Sequence, residues 1–117
     1  MSILITMGKL SKGTIVLTMS DTAQKLTEAQ VKYDINNSYT SSARGVLITA
    51  DGSDGLRIAM GGVDAENDAS PVGHMLPDGQ SIYITGTDII KTLSFINGVS
   101  GSGSPSLAHV SLNYDGY

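Results

Sequence analysis

Apolar residues recur at every second position along most of the chain, the pattern of strands whose side chains point alternately into a core and out to solvent. Ile3, Ile5 and Met7 alternate with Ser2, Leu4 and Thr6. Ile15, Leu17 and Met19 alternate with Thr14, Val16 and Thr18, and Val31, Tyr33 and Ile35 with Lys32, Asp34 and Asn36. Val46, Ile48 and Ala50 are separated from Leu56, Ile58 and Met60 by Asp51-Gly52-Ser53-Asp54-Gly55, a run of turn formers that predicts an antiparallel hairpin. Pro77-Asp78-Gly79 predicts a tight turn, with proline setting its first bend position, that feeds a strand with Ile82 and Ile84 inward. Residues 93–96 and 108–114 are expected to form the last pair, with Val110, Leu112 and Tyr114 on one face. The Gly/Ser-rich stretch 98–106 between them has too little apolar surface to order itself and reads as a flexible hairpin tip.

Helical periodicity is confined to two short segments. Ser20 or Asp21 is positioned to cap a helix of at most three turns, with Gln24 reaching back and Ala23, Leu26 and Ala29 on one stripe. Asp88 is expected to cap a further turn whose Ile89, Ile90 and Leu93 pack inward. Seven or eight short strands at roughly ten-residue spacing, with polar turn clusters between them, predict an all-β fold. The expected architecture is an antiparallel β-sandwich, jelly-roll or Ig-like, with at most one or two short helices, or else a small barrel. Crossover helices for a parallel sheet are absent, as is any repeat of solenoid or propeller length.

Length and composition narrow this further. At 117 residues and 12.2 kDa the chain fits one domain, 1–117. Its core must be aliphatic, because aromatic residues make up only 5% and tryptophan is absent. Zero cysteines exclude disulfides, thiolate metal sites and cysteine nucleophiles. A net charge of −4 opposes non-specific binding to nucleic acid or to an anionic membrane. Basic residues concentrate early, at Lys9, Lys12, Lys25, Lys32 and Arg44, whereas after residue 50 only Arg57 and Lys91 oppose the acids. No run approaches a membrane span and no signal-peptide pattern opens the chain, so synthesis and folding in the cytoplasm are expected.

Candidate chemistry is sparse. The acids Asp51, Asp54, Asp64, Glu66 and Asp68 resemble an oxygen-rich calcium loop, with Asp51 and Asp54 the best placed. The run 51–55 nevertheless lacks a glutamate at loop position twelve, and turn chemistry accounts for it better. His74, expected in a loop, and His109, on the polar side of the last strand, have no nucleophile elbow beside them, since Gly101-Ser102-Gly103 lies in the Gly/Ser tract. Gly61-Gly62 leads into acids that repel phosphate, and there is little room for a sugar cleft between two carboxylates. Tyr33 and Tyr39 near Lys32 and Arg44 only approximate a nucleic-acid surface. No catalytic residue, cofactor or metal is therefore expected.

The succession Ala43-Arg44-Gly45-Val46-Leu47-Ile48-Thr49-Ala50, an Asp/Gly/Ser turn and Leu56-Arg57-Ile58-Ala59-Met60-Gly61-Gly62 forms the first part of a recognisable order. Gly73-His74-Met75-Leu76-Pro77-Asp78-Gly79 and Ser81-Ile82-Tyr83-Ile84-Thr85-Gly86 follow. Over residues 43–114 this order resembles the small β-sandwich virion proteins of tailed bacteriophages, in which a hairpin, a leucine-proline-x-glycine turn, an aliphatic strand and a final hairpin succeed one another. The first forty residues match no motif of theirs.

The resemblance implies a non-enzymatic structural role on the virion, with no active site and no cofactor. Its main form is a capsid decoration (cement) protein on the outside of the shell. That protein would bind the major capsid protein and assemble as a homo-oligomer, trimer favoured over dimer. A tail or neck component is the alternative, and a small carbohydrate-binding module a further one. Residues 1–10, with Ile3, Leu4, Ile5 and Leu10, are the candidate docking strand, although an ordinary core strand explains their alternation more simply.

Overall fold

The computed structural model describes residues 11–35, 39–68 and 70–114. The described chain is mostly β, with antiparallel sheets and two short helices. In chain order the elements are β1 (Ser11–Thr18), β2 (Gln24–Lys25), α1 (Glu28–Val31), β3 (Lys32–Ile35), β4 (Tyr39–Ser42), β5 (Gly45–Asp51) and β6 (Leu56–Ala59). These are followed by β7 (His74–Leu76), β8 (Ser81–Thr85), α2 (Thr87–Thr92), β9 (Ser94–Asn97) and β10 (Leu107–Asn113). One four-stranded sheet has the order β1-β10-β5-β8 and the other β2-β9-β6-β7, while β3 and β4 pair as a separate hairpin.

Both sheets feed a single buried cluster. Val46, Ile48, Ala50, Ile84, Ala108, Val110 and Leu112 come from the first, and Leu56, Ile58, Leu76 and Phe95 from the second. The alternation read from sequence accounts for these positions: in β5 and β10 every second side chain is buried, and Tyr114 continues the row beyond β10. Ile15, Leu17 and Ile82 pack against the same cluster, as the period-two pattern predicted. At about 25 cal/mol per Å² of apolar surface, burying one such aliphatic side chain contributes roughly 2 kcal/mol, so the shared cluster dominates stability.

The two expected hairpins do not form. β5 pairs with β10 and β8, β6 with β7 and β9, so the turn at 51–55 carries the chain from one sheet to the other. Gly55, at φ +67°, closes this corner by donating its N–H to Gly52 O at 3.0 Å. Both edges of β5 are already taken, and the residues that suit a hairpin tip suit a corner equally. Met60 lies beyond the end of β6 and is 40% exposed instead of completing the inward row.

By the same logic β9 and β10 lie in different sheets, which makes 98–106 a crossover, not a hairpin tip. Its backbone is tied at Gly98 N–H to Gly55 O, at Gly101 N–H to Asp21 and at Ser106 N–H to Asn97 Oδ1. Low apolar content left these polar ties invisible. Pairing instead nests: β6 with β7, β5 with β8, β2 with β9 and β1 with β10.

The first helix also begins later than its pattern implied. Thr27 caps α1 through a reciprocal box, accepting from Gln30 N–H at 3.2 Å while its own N–H donates to Gln30 Oε1 at 2.8 Å. Ser20 instead holds a local turn with Thr22, and Gln24 enters β2. Val31, expected on a strand, is the buried last residue of α1. In α2, Gly86 occupies the cap position, Ile90 and Leu93 are buried, and Ile89 is 41% exposed rather than inward. The turn before β8 is closed by Gln80 N–H to Pro77 O at 3.0 Å, so the proline supplies the carbonyl of the turn instead of its first bend.

Candidate interaction surfaces

One end of the molecule gathers the loops around Ser20–Ala23, 52–55, 64–68 and 98–106, and Asn97 holds them together. This asparagine, 1% exposed, donates its amide to Asp54 Oδ2 at 3.0 Å and to Val99 O at 2.9 Å, and accepts from Ser106 N–H at 2.8 Å. Its backbone N–H reaches Ser20 O at 3.0 Å, and its carbonyl accepts from Asn67 Nδ2 at 2.9 Å. Both side-chain N–H groups and one lone pair of the side-chain oxygen are thus paired. Sequence reasoning missed this residue, although a polar side chain closing an apolar run directly before Gly98 was a readable signal.

The acids of this end act as pins. Asp21 accepts from Gly101 N–H with both oxygens, at 3.2 and 3.0 Å, and from Asn67 Nδ2. Asp78 accepts from Gly52 N–H at 2.9 Å, and Asp68 from Ser70 N–H at 2.8 Å. The Asn97 amide, and after it the Ser102 hydroxyl, holds the Asp54 carboxyl below the usual carboxylate range.

The two calcium candidates do not converge, because Asp54 is turned to Asn97 and Asp51 to His109, whose Nε2 lies 2.9 Å from Asp51 Oδ2. Among the described residues no group of three or more His, Cys, Asp or Glu is arranged to hold a metal ion. An open cleft of about 310 Å³ lies nearby, lined by Asp21, Asp64, Glu66 and Asp68 among others, and Lys25 Nζ stands 3.6 Å from Asp64. His74, expected in a loop, opens β7 opposite Ile58 and is exposed. Ile3, Leu4, Ile5 and Leu10 lie outside the described residues.

The outward faces of the two sheets differ. On the second, the segment between β6 and β7 folds back, so that Ala65 and Val72 pack on Ala59 and Ile96 and Ala65 N–H donates to Ser94 Oγ. On the first, register places Val16, His109, Thr49 and Ser81 in one row and Thr14, Ser111, Leu47 and Tyr83 in the next. Hydroxyl pairs cross it, Thr14 to Ser111 at 2.8 Å and Thr49 to Ser81 at 2.7 Å. Tyr83 leans over Gly45, where a Cβ would meet the phenol oxygen, so only glycine leaves room for the ring in this position.

Among the described side chains of this outward face, His109 and Asp51 are the ionisable groups besides Tyr83, and they pair with each other. The signal for such a surface lay in the outward half of the same period-two pattern, which is hydroxylic and aliphatic instead of charged. No helix among the described residues is long and apolar enough to cross a membrane. Comparison with protein-family models, with curated proteins and with solved structures finds no match.

Proposed function

We propose that the two sheets stack as a jelly-roll β-sandwich and that the chain is a non-enzymatic structural protein of a tailed-phage virion. Its place is the outside of the major capsid shell, as a cement protein working as a homo-oligomer. The observation that carries this reading is the strand order. With the β3–β4 hairpin set aside, eight strands pair first with last, second with second-last, and so inward, as in a ribbon rolled into two sheets of four. An Ig-like arrangement of the constant type sets four strands against three. Jelly rolls serve viral shell and lectin domains, so this support operates at the level of fold and adds to the resemblance over residues 43–114.

Cementing asks for many modest contacts. Copies that each bridge neighbouring capsomers resist internal pressure together, with no single strong interface required. Residues 1–10, with Ile3, Leu4, Ile5 and Leu10, supply a segment suited to strand addition on a neighbour. Quantifying the protein in purified particles tests the reading: capsid-scale copy number, and a lower bursting temperature after stripping, are expected. A handful of copies at one vertex would point to a tail or neck role. Absence from particles together with glycan-array binding would point to a carbohydrate-binding module.

A further inference from the structure

We infer that the outward face of the sheet β1-β10-β5-β8 is a self-association surface whose occupant is the same face of a second copy. The inference rests on the homo-oligomer in the proposed function and names the surface that makes it. The first argument is the contrast between sheets: on the outward side of the second, the chain's own Ala65 and Val72 pack on Ala59 and Ile96, whereas no such second cluster of buried apolar residues forms on the outward side of the first among the described residues. Val16 and Tyr83 stand 51% and 45% exposed there.

Charge selects the occupant. Two copies each carrying a net charge of −4 repel wherever their acids face each other. The acids Asp21, Asp64, Glu66 and Asp68 line a cleft away from this face, and Asp51 is paired with His109. The two rows through Val16, Thr49 and Ser81 and through Thr14, Ser111, Leu47 and Tyr83 carry no carboxylate, and Asp51 lies at the end of β5, so these rows meet their own image without stacking acids, as a two-fold contact demands. Serine and threonine hydroxyls donate and accept equally well across such an axis, and Tyr83, on the edge strand β8, supplies an aromatic contact of the kind enriched at interfaces.

Area sets the strength. Four strands about 4.8 Å apart and on average about seven residues of about 3.4 Å give a footprint of roughly 450 Å², so two copies bury about 900 Å². That lies near the lower limit of specific interfaces, the size class of weak, reversible association. On a shell, where neighbours are already held close, association of that strength suffices. A face that pairs with the same face of a second copy closes about a two-fold axis, so the expected unit is a dimer in place of the trimer favoured from sequence.

Sedimentation velocity of the purified chain over a micromolar concentration series tests this. The wild type is expected to run as a monomer–dimer equilibrium. Val16→Lys and Thr49→Lys, which set like charges against each other across the axis, should weaken it at least tenfold, and Val63→Lys, in the segment between β6 and β7, should leave it unchanged. Because the chain has no cysteine, Thr49→Cys gives a second readout that survives misfolding of a lysine variant. Its thiol should be alkylated several-fold more slowly at high than at low protein concentration, and that of Val63→Cys at one rate throughout. A wild type that stays monomeric, or folded face variants that associate as before, overturns the inference. Uptake of the same proteins by stripped shells is measured alongside. Uptake with the face variants still associating removes the face assignment alone, and face-dependent dimers that shells ignore remove the capsid reading alone.

Discussion

Two buried polar residues at the loop end, Asn97 and Ser106, are hydrogen-bonded to each other through the Ser106 N–H, yet their side chains should respond oppositely to removal. Asn97 makes three side-chain hydrogen bonds, so Asn97→Ala strands Val99 O and Ser106 N–H, and about 2–4 kcal/mol should be lost in denaturant melts. Asn97→Asp should cost at least as much, because a carboxylate cannot donate to Asp54 and would face it with like charge. The Ser106 hydroxyl, by contrast, is fully buried and finds no partner among the described residues, so Ser106→Ala should be neutral or stabilising. A clear loss of stability in Ser106→Ala would mean that this oxygen is satisfied after all. The same network sets an acid response. The Asp54 pKa is depressed in the fold, by Asn97 first and Ser102 second, so its carboxylate stabilises the native state above the unfolded value of about 3.9. That contribution fades as pH falls through the lower folded value. Melts between pH 5 and pH 2 should therefore show a steeper decline for the wild type than for Asp54→Asn, and parallel declines would show that the network does not couple to the proton.

Among the elements, β5 and β10 occupy the middle of their sheet, bonded on both sides and burying alternate residues at 0–1% exposure. Their amides should exchange slowest with deuterium, and those of β2 and β7, short and at sheet edges, fastest among the strands. Ile48→Ala should cost about 2–5 kcal/mol, and Thr27→Ala, which removes the α1 cap, about 1 kcal/mol, both read from chemical denaturation. What made β5 and β10 legible in the sequence was their period-two alternation, a local property. Which strands they pair with was not legible, because Asp, Gly and Ser in 51–55 and in 98–106 make a corner between sheets as readily as a hairpin tip. Deciding between the two needs the distant strands that already occupy both edges of β5. The start of α1 was misread for a related reason: Ser20 and Asp21 are good caps, but their oxygens serve Thr22 and Gly101 instead. Of the candidate surface, the outward residues of β1, β5, β8 and β10 were individually visible, and only the register brought Val16, His109, Thr49 and Ser81 into one row.

At the scale of the molecule, nested pairing ties folding order to sequence distance. Ile58 meets His74 and Ile48 meets Ile82 across modest loops, but Leu17 meets Ala108 only after nearly the whole described chain has been gathered. Loop closure costs entropy before a contact repays it, and the long closures become cheap only once the inner pairs have shortened the effective loop. Assembly should therefore run outward from β5·β8 and β6·β7, with β1 docking last, and refolding should take milliseconds to seconds as in other folds dominated by non-local strand pairs. Stopped-flow chevrons on two truncations test the order. Ile48→Val, in the inner ribbon, should mainly slow folding, with a φ-value of 0.5 or above. Leu17→Ala, in β1 and packed on the same cluster, should mainly speed unfolding, with a φ-value below about 0.3. The reverse assignment, with β1 formed early and β5 late, would mean that the first and last strands nucleate the fold and that the nested pairs close from the outermost inward.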